Sequence, residues 1–101
     1  MELEHTPGPW EIGTPPPNGE QTIGTDKGLM VATATTGYIN TKANARLIAA
    51  APEMINALIE LVSIVKIHSK ATGSNFAWAE MEYARKAIEH ATGKPIDEVI
   101  K

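Results

Sequence analysis

Residues 29–51 read LMVATATTGYINTKANARLIAAA, and this stretch decides the fold class of the chain. Its first part, residues 29–36, is rich in β-branched side chains and favours a strand. From residue 41 the composition changes to alanine and other helix formers, and Asn40 or Thr41 can cap the helix that they predict. A strand followed closely by a helix predicts an α+β chain with its sheet before residue 40 and its helices after it.

Two further extended segments precede this stretch. Trp10, Glu11 and Ile12 alternate apolar and polar residues, residues 21–25 are β-like, and residues 26–28 are typical of a turn. Prolines make residues 1–9 an extended arm, and a proline run ending in Asn-Gly makes residues 13–19 a wide loop. The sequence therefore predicts a small antiparallel sheet, either a hairpin or a three-strand meander.

Helical signals continue to the end of the chain. Pro52 ends or kinks the first helix and begins a second over about 52–69, because proline lacks an amide donor. A third helix is predicted over about 75–91 with Ser74 as its cap, and Gly93 stops it before a last short turn over 96–101. The residues that we expect to form the buried faces of the second and third helices are Met54, Leu58, Leu61 and Val65, widened by Ile55 and Val62, and then Trp78, Met81, Ile88 and Ala91.

Length and charge restrict the possible functions. The 101 residues fit one domain, with a proline-rich arm and β-meander over 1–40 and a helical part over 41–101. A chain this short buries little surface by itself, so we expect a homo-oligomer.

Residues 1–40 carry five acids and one base, which argues against binding of duplex nucleic acid. The start lacks the features of a signal peptide, and no apolar run approaches the ~20 residues that cross a bilayer, so we expect a cytoplasmic protein with no membrane partner.

The residue pattern predicts no enzyme, no metal site and no cofactor. The chain has no cysteine, and His5, His68 and His90 lack the spacing of metal ligands. Serines have no neighbouring base, and no glycine-rich phosphate loop is present. Glu82 and Lys86 are four residues apart and predict a surface ion pair.

Candidate ligand residues cluster near the start of the alanine-rich helix. Arg46 is predicted to lie in its first turns, where free amides and the helix dipole favour an anion, and Lys42 is four residues away. Arginine can hold a phosphate through two hydrogen bonds, and the amide of Asn44 can read the edge of a base. Two alternatives remain open. The Asn44 side chain forms hydrogen bonds with nearby backbone, or Arg46 is a solvated surface cation with no ligand. The alanines predict core packing, a subunit interface, or both.

Aromatic residues and a second cationic cluster complete the candidates. Tyr38 precedes the helix in a loop and can stack on a base, as can Trp10 and Trp78, although aromatics in a small protein are often core or interface anchors. Arg85 and Lys86 form either the second cationic cluster of a ligand site or a solvated helix face.

Two segments resemble known phage proteins. The opening His5–Trp10 is similar to the HTPGPW start of short phage and prophage proteins, and residues 44–53 are similar to their NARLIAAAPE segment. More distantly, the layout resembles the first Thoeris anti-defence sponge family. These phage proteins pair an N-terminal sheet with C-terminal helices and bind cyclic nucleotide-like immune signals without degrading them. That resemblance implies a ligand role for Asn44.

Three functions follow as hypotheses. The first is a homo-oligomeric, non-enzymatic phage anti-defence protein that sequesters a nucleotide-type signal, such as a cyclic nucleotide or a cyclic ADP-ribose-like molecule. The second is a small oligomeric accessory protein that contacts another protein and has no small-molecule ligand. The third, which the residue pattern disfavours, is a small phosphodiesterase.

Overall fold

The chain has the α+β architecture that the sequence predicts. The computed structural model describes residues 3–13, 20–35, 40–73 and 78–100. Three strands come first, β1 (Trp10–Ile12), β2 (Gln21–Thr25) and β3 (Met30–Ala34). The helices follow as α1 (Thr41–Ala49), α2 (Ala51–Thr72), α3 (Trp78–Thr92) and α4 (Ile96–Val99).

The described residues belong to two compact units. The sheet unit is Thr6–Met54, and the helical unit is Met1–His5 together with Ile55–Lys101. The prediction of one domain over 1–101 stays a prediction. Residues 14–19, the predicted cap Ser74 and Tyr38 lie outside the described residues.

The sheet is a three-strand antiparallel meander in the order β1-β2-β3, which settles the choice between a hairpin and a meander. Trp10 pairs with Thr25 across β1 and β2, and Ile23 pairs with Ala32 across β2 and β3. The predicted turn after β2 is present, because the Gly28 amide donates to the Thr25 carbonyl at 3.1 Å and Gly28 has a φ of 85°. Only glycine adopts such a φ without strain.

Small residues let α1 pack closely on the sheet. Ala45 of α1 and Ile23 of β2 are both 0% exposed, and Ala34 of β3 completes their core cluster. Trp10 packs against the same cluster as a half-buried residue, which makes it a core anchor. The predicted packing role of the alanines is therefore confirmed for Ala45, whereas their role in a subunit interface stays a prediction.

The two segments that resemble phage proteins meet in this unit. Gly8, from the first segment, lies against Pro52, from the second, and a Cβ added at Gly8 would come within 2.9 Å of the Pro52 Cβ. The Trp10 indole Nε1 donates to the Thr6 carbonyl at 3.1 Å, which ties the start of the first segment to β1. Much of both segments therefore serves packing of the sheet unit.

The start of α1 differs from the prediction in one respect. Asn40 occupies the N-cap position, but its side chain makes no capping hydrogen bond. The Thr41 hydroxyl donates instead to the Thr35 carbonyl at 2.8 Å. At the other end the break predicted near Pro52 is confirmed, since α1 ends at Ala49 and α2 starts at Ala51.

The helical unit has its own core, and part of the predicted packing was wrong. The buried members of its cluster are Val62, Ile88, Val99 and Ile100. Ile55, Leu58 and Ile59 are the α2 residues that pack against them, whereas Leu61 is 59% exposed. The predicted stripe thus missed Ile59 and wrongly included Leu61 and Met54, which is 46% exposed, because α2 carries apolar residues on more than one face.

On α3 the prediction is confirmed at Ile88 and Met81 and is wrong at Trp78 and at Ala91, which is also exposed. Ile88 is 0% exposed and Met81 packs on the same cluster, but Trp78 is 66% exposed. The predicted stop is confirmed, because Gly93 has a φ of 72° and its amide donates to the Glu89 carbonyl at 2.8 Å. The left-handed φ ends the helix at a residue without a side chain.

Candidate functional site

Asn44, the residue favoured by resemblance, lines a cavity of about 340 Å³ in the sheet unit. Its side chain is exposed on α1, and Thr33 and Thr35 lie at the facing end of β3. Among the described residues, its lining consists of Thr33, Ala34, Thr35, Asn44, Leu47 and Ile48. This arrangement combines an apolar floor with hydroxyl and amide groups, which is a common composition for a small-molecule site.

The cations predicted beside Asn44 do not line this cavity. Lys42 and Arg46 are each two residues from Asn44, and 3.6 residues per turn place both roughly 160° from it around α1. Arg46 also lies in the last turn of α1 and not in its first turns, so it is distant from the positive end of the helix dipole. The Asn44 backbone N–H donates to the Asn40 carbonyl at 2.8 Å and so takes part in the hydrogen bonding of the helix. Asn44 therefore lies on a different side of α1 from Lys42 and Arg46, and the ligand roles expected for these three residues stay predictions.

Arg85 is held by carboxylates of its own helix. Its Nη2 and Nε donate to the two oxygens of Glu82 at 2.6 and 3.1 Å, and its Nη1 donates to Glu89 at 3.0 Å. These hydrogen bonds hold the pKa of the Glu82 carboxyl below its usual range and raise that of Arg85. Glu82 therefore pairs with Arg85 and not, as predicted, with Lys86.

The second oxygen of Glu89 makes a hydrogen bond to the next helix. It accepts a hydrogen bond of 2.8 Å from the Ile96 amide at the start of α4. The Glu89 carboxylate thus joins α3 to α4 while it also accepts from Arg85. A ligand anion at Arg85 would have to compete with two carboxylates already in place.

A larger cavity, of about 610 Å³, runs along the outer face of α3. Its described lining residues all belong to this helix and are Trp78, Ala79, Glu82, Tyr83, Lys86, Ala87 and His90. The aromatic rings are open to solvent, with Trp78 66% and Tyr83 83% exposed. Lys86 is also exposed and adds an ammonium group to the same face.

This α3 cavity supplies aromatic and cationic groups that are absent from the described lining of the Asn44 cavity. Rings of Trp78 and Tyr83 offer faces on which a planar ligand can stack. Arg85 already pairs with Glu82. That carboxylate therefore competes little with an anionic ligand for the ammonium of Lys86. Sequence reasoning noted Trp78 and Lys86 separately. It missed that Tyr83 and His90 lie three and four residues from Lys86, a spacing that places all three on one helix face.

The remaining described residues offer few other chemical features. No group of three or more histidine, aspartate or glutamate side chains among residues 3–13, 20–35, 40–73 and 78–100 could hold a metal ion. Within those same ranges no single helix is long and apolar enough to span a membrane, although α1 and α2 pass that test jointly as a bent pair.

The fold and the comparisons together define a small α+β protein of phage origin. More particularly, the chain belongs to the family described as Salmonella phage P22 protein Y8K6, whose family model matches residues 1–95. The phage origin that the sequence suggested is thereby confirmed. No curated protein matches the chain, and no solved structure matches it.

Proposed function

We propose that this phage protein is a non-enzymatic anti-defence protein that sequesters a nucleotide-type immune signal in the cytoplasm of the infected host. The ligand would be a cyclic nucleotide or a cyclic ADP-ribose-like molecule, and the protein would act as a homo-oligomer. The proposal combines membership of the phage protein family with the distant resemblance to anti-defence sponges.

The α3 cavity is the observation that carries this proposal. A nucleotide presents a planar base and an anionic phosphate, and the cavity presents exposed rings at Trp78 and Tyr83 beside the ammonium of Lys86. Stacking of a base on an aromatic ring contributes about 1–3 kcal/mol. A hydrogen bond from a charged group contributes about 1.5–3 kcal/mol. These groups line one cavity along one helix.

The Asn44 cavity supports the same class of ligand in a different way. Its amide and the hydroxyls of Thr33 and Thr35 can both donate and accept hydrogen bonds, as recognition of a base edge or a ribose requires. Its described lining contains no cation, so we assign it to recognition of uncharged groups. Substitutions in each cavity can be tested separately.

The first test is binding without turnover. The protein is incubated with a panel of cyclic dinucleotides, cyclic trinucleotides and cyclic ADP-ribose isomers, and binding is measured by thermal shift. Bound ligand is then released by heating and analysed by mass spectrometry. Release of the intact molecule supports sequestration, whereas release of an altered molecule identifies an enzyme.

Substitutions locate the site. Trp78→Leu and Lys86→Gln should each weaken binding of the panel member that gives a shift by about tenfold or more. Lys66→Gln is the matched control, because Lys66 is an exposed lysine of α2 that does not line the α3 cavity. Equal affinities for all three variants and the unaltered protein would remove the α3 cavity from the proposal. Asn44→Ala then tests the other cavity in the same assay.

A second candidate function is contact with a host or phage protein without a small-molecule ligand. A specific observation favours it, namely the large hydrophobic side chains exposed on both units. In the sheet unit Leu29 and Met30 are adjacent and are 60% and 69% exposed. Exposed apolar groups that lie together mark interaction surfaces. Absence of a thermal shift with every member of the panel would favour this function over sequestration.

A further inference from the structure

His90 lies in the last turn of α3 and lines the α3 cavity four residues after Lys86. At this interval the Cβ atoms of two helical residues are about 5–6 Å apart. Four residues turn the helix by about 400°, which leaves the two side chains roughly 40° apart around α3. Both side chains are exposed. An oxyanion between them can therefore contact an ammonium group and an imidazole at once.

Tyr83 places an aromatic ring beside this pair of residues. It precedes Lys86 by three residues, which is about 4.5 Å along the helix, and it lines the same cavity. Trp78 precedes Lys86 by eight residues, which is about 12 Å. A base that stacks on Tyr83 therefore brings its phosphate closer to Lys86 and His90 than a base that stacks on Trp78.

We propose that Lys86 and His90 together bind a phosphate group of the ligand, so that binding is stronger at about pH 6 than at about pH 8. An imidazole changes its charge within this range of pH, whereas an ammonium group stays charged throughout it. The pair then offers two positive charges at the lower pH and one at the higher pH. The proposal deepens, and in that respect rests on, the proposed binding of a nucleotide-type signal in the α3 cavity.

Two carboxylates of α3 lie near the pair in sequence, and Arg85 engages both of them. Glu82 is the carboxylate among the described lining residues, and it forms an ion pair of 2.6 Å with Arg85. Glu89, next to His90 in sequence, accepts from Arg85 and from the Ile96 amide. Carboxylates that are held in this way compete weakly with an anionic ligand for the two cations.

Neighbouring elements add no charge to the described lining of the cavity. Lys94, which follows α3, forms an ion pair of 2.9 Å with Glu4 of the N-terminal segment. The helices α2 and α4 contact α3 through the core around Ile88 and through Glu89. None of their titratable side chains within the helical unit lines the cavity, and these are Glu60, Lys66, His68, Lys70, Asp97 and Glu98. The charge of the described lining therefore changes between about pH 6 and about pH 8 through His90.

The position of His90 in the last turn favours the same assignment. The negative end of the helix dipole stabilises a positive charge there. Like charges four residues apart on a helix repel each other, and an anion between them removes that repulsion. Binding of the anion and protonation of the imidazole therefore strengthen each other, as linkage requires.

Sulfate tests the pair without reference to any particular nucleotide. It has the tetrahedral shape of phosphate and keeps its charge over the whole range of pH. Amide NMR spectra of the full chain are recorded while sodium sulfate replaces sodium chloride at constant ionic strength. The resonances of residues 86–90 should move until they saturate, with an affinity about two- to fivefold higher at the lower pH, as expected for one added exposed ion pair. Absence of movement at both pH values, or equal affinities at the two, overturns the proposal.

Substitutions assign the effect to its residues. His90→Gln should remove the pH dependence, and Lys86→Gln should weaken sulfate binding at both pH values. His90→Lys carries a charge at either pH, so it should bind sulfate at the higher pH as strongly as the unaltered chain does at the lower. His68→Gln is the matched control, because His68 is an exposed histidine of α2 that does not line the cavity. A pH dependence that survives in a folded His90→Gln variant, or that His68→Gln abolishes, overturns the role of His90.

The nucleotide panel separates failure of this inference from failure of the proposed function. A panel member that binds with an affinity independent of pH and of His90→Gln supports the proposed function and overturns the phosphate contact. Sulfate binding with the expected pH dependence, in a chain that binds no panel member, supports the contact and counts against the proposed function.

Discussion

Ile88→Ala should destabilise this protein strongly because the side chain lies at the centre of the helical core. Ile88 is 0% exposed and belongs to the cluster with Val62, Val99 and Ile100. Truncation to alanine removes three carbon atoms, each worth about 0.8 kcal/mol of transfer free energy. The cavity left behind adds to that loss, so we expect the free energy of unfolding to fall by about 3–4 kcal/mol, within the range measured for such substitutions.

Urea denaturation followed by circular dichroism at low micromolar protein concentration measures this loss. For a small protein the slope of unfolding free energy against urea is about 1–3 kcal/mol per molar, so the midpoint should fall by roughly 1–4 M. The matched control is Ile67→Ala, which deletes the same atoms from a side chain that is 69% exposed. That variant should remain within about 0.5 kcal/mol of the unaltered protein.

The comparison between these two isoleucines can refute the packing described for α3. A loss below about 1 kcal/mol for Ile88→Ala, with an unchanged slope, would mean that residue 88 is not enclosed. An equal loss for Ile67→Ala would mean that the outward face of α2 is covered in the monomer. Either result would require a different arrangement of the helical unit.

Three further perturbations test individual features of the two units. Gly93→Ala should lower the free energy of unfolding by about 1–2 kcal/mol, because the φ of 72° strains any residue with a Cβ, and an unchanged thermal midpoint would contradict this turn. Gly8→Ala should cost about 1–3 kcal/mol by urea denaturation, because the new Cβ comes within 2.9 Å of Pro52, and full stability would mean that this contact is loose. In the folded state Arg85 lowers the pKa of Glu82. The contribution of Glu82 to stability is therefore complete above the ordinary glutamate pKa of about 4.3. It is lost as the pH falls through the lowered pKa that Glu82 has in the folded protein. Thermal midpoints of Glu82→Gln between about pH 6 and about pH 3 should therefore fall less steeply than those of the unaltered protein, and parallel curves would show that the pair with Arg85 has no influence on stability.

The secondary structure was largely predictable because its signals are local. The β-branched composition of β3, the turn at Gly28 and the stop at Gly93 depend on backbone preferences of residues close in sequence. Proline at position 52 likewise ended α1 for a reason that needs no tertiary context.

The candidate site was predictable only in part. Asn44 does line a cavity, but Lys42 and Arg46 lie on another side of α1, and their expected role in binding an anion stays a prediction. Arg85 was read as a candidate ligand, although its neighbours Glu82 and Glu89, three and four residues away, already satisfy it.

The sequence alone determined which segments of this chain are strands and helices, because turns, caps and propensities act over a few residues. Only the tertiary structure decided which apolar face each helix buries. The α2 helix has apolar residues around much of its surface, so its periodicity does not single out one side, and the available partner surfaces select Ile59 over Leu61 for the core. The same physical cause leaves Trp78 at the surface while Ile88 is enclosed, since burial depends on what lies opposite a side chain and not on the side chain alone.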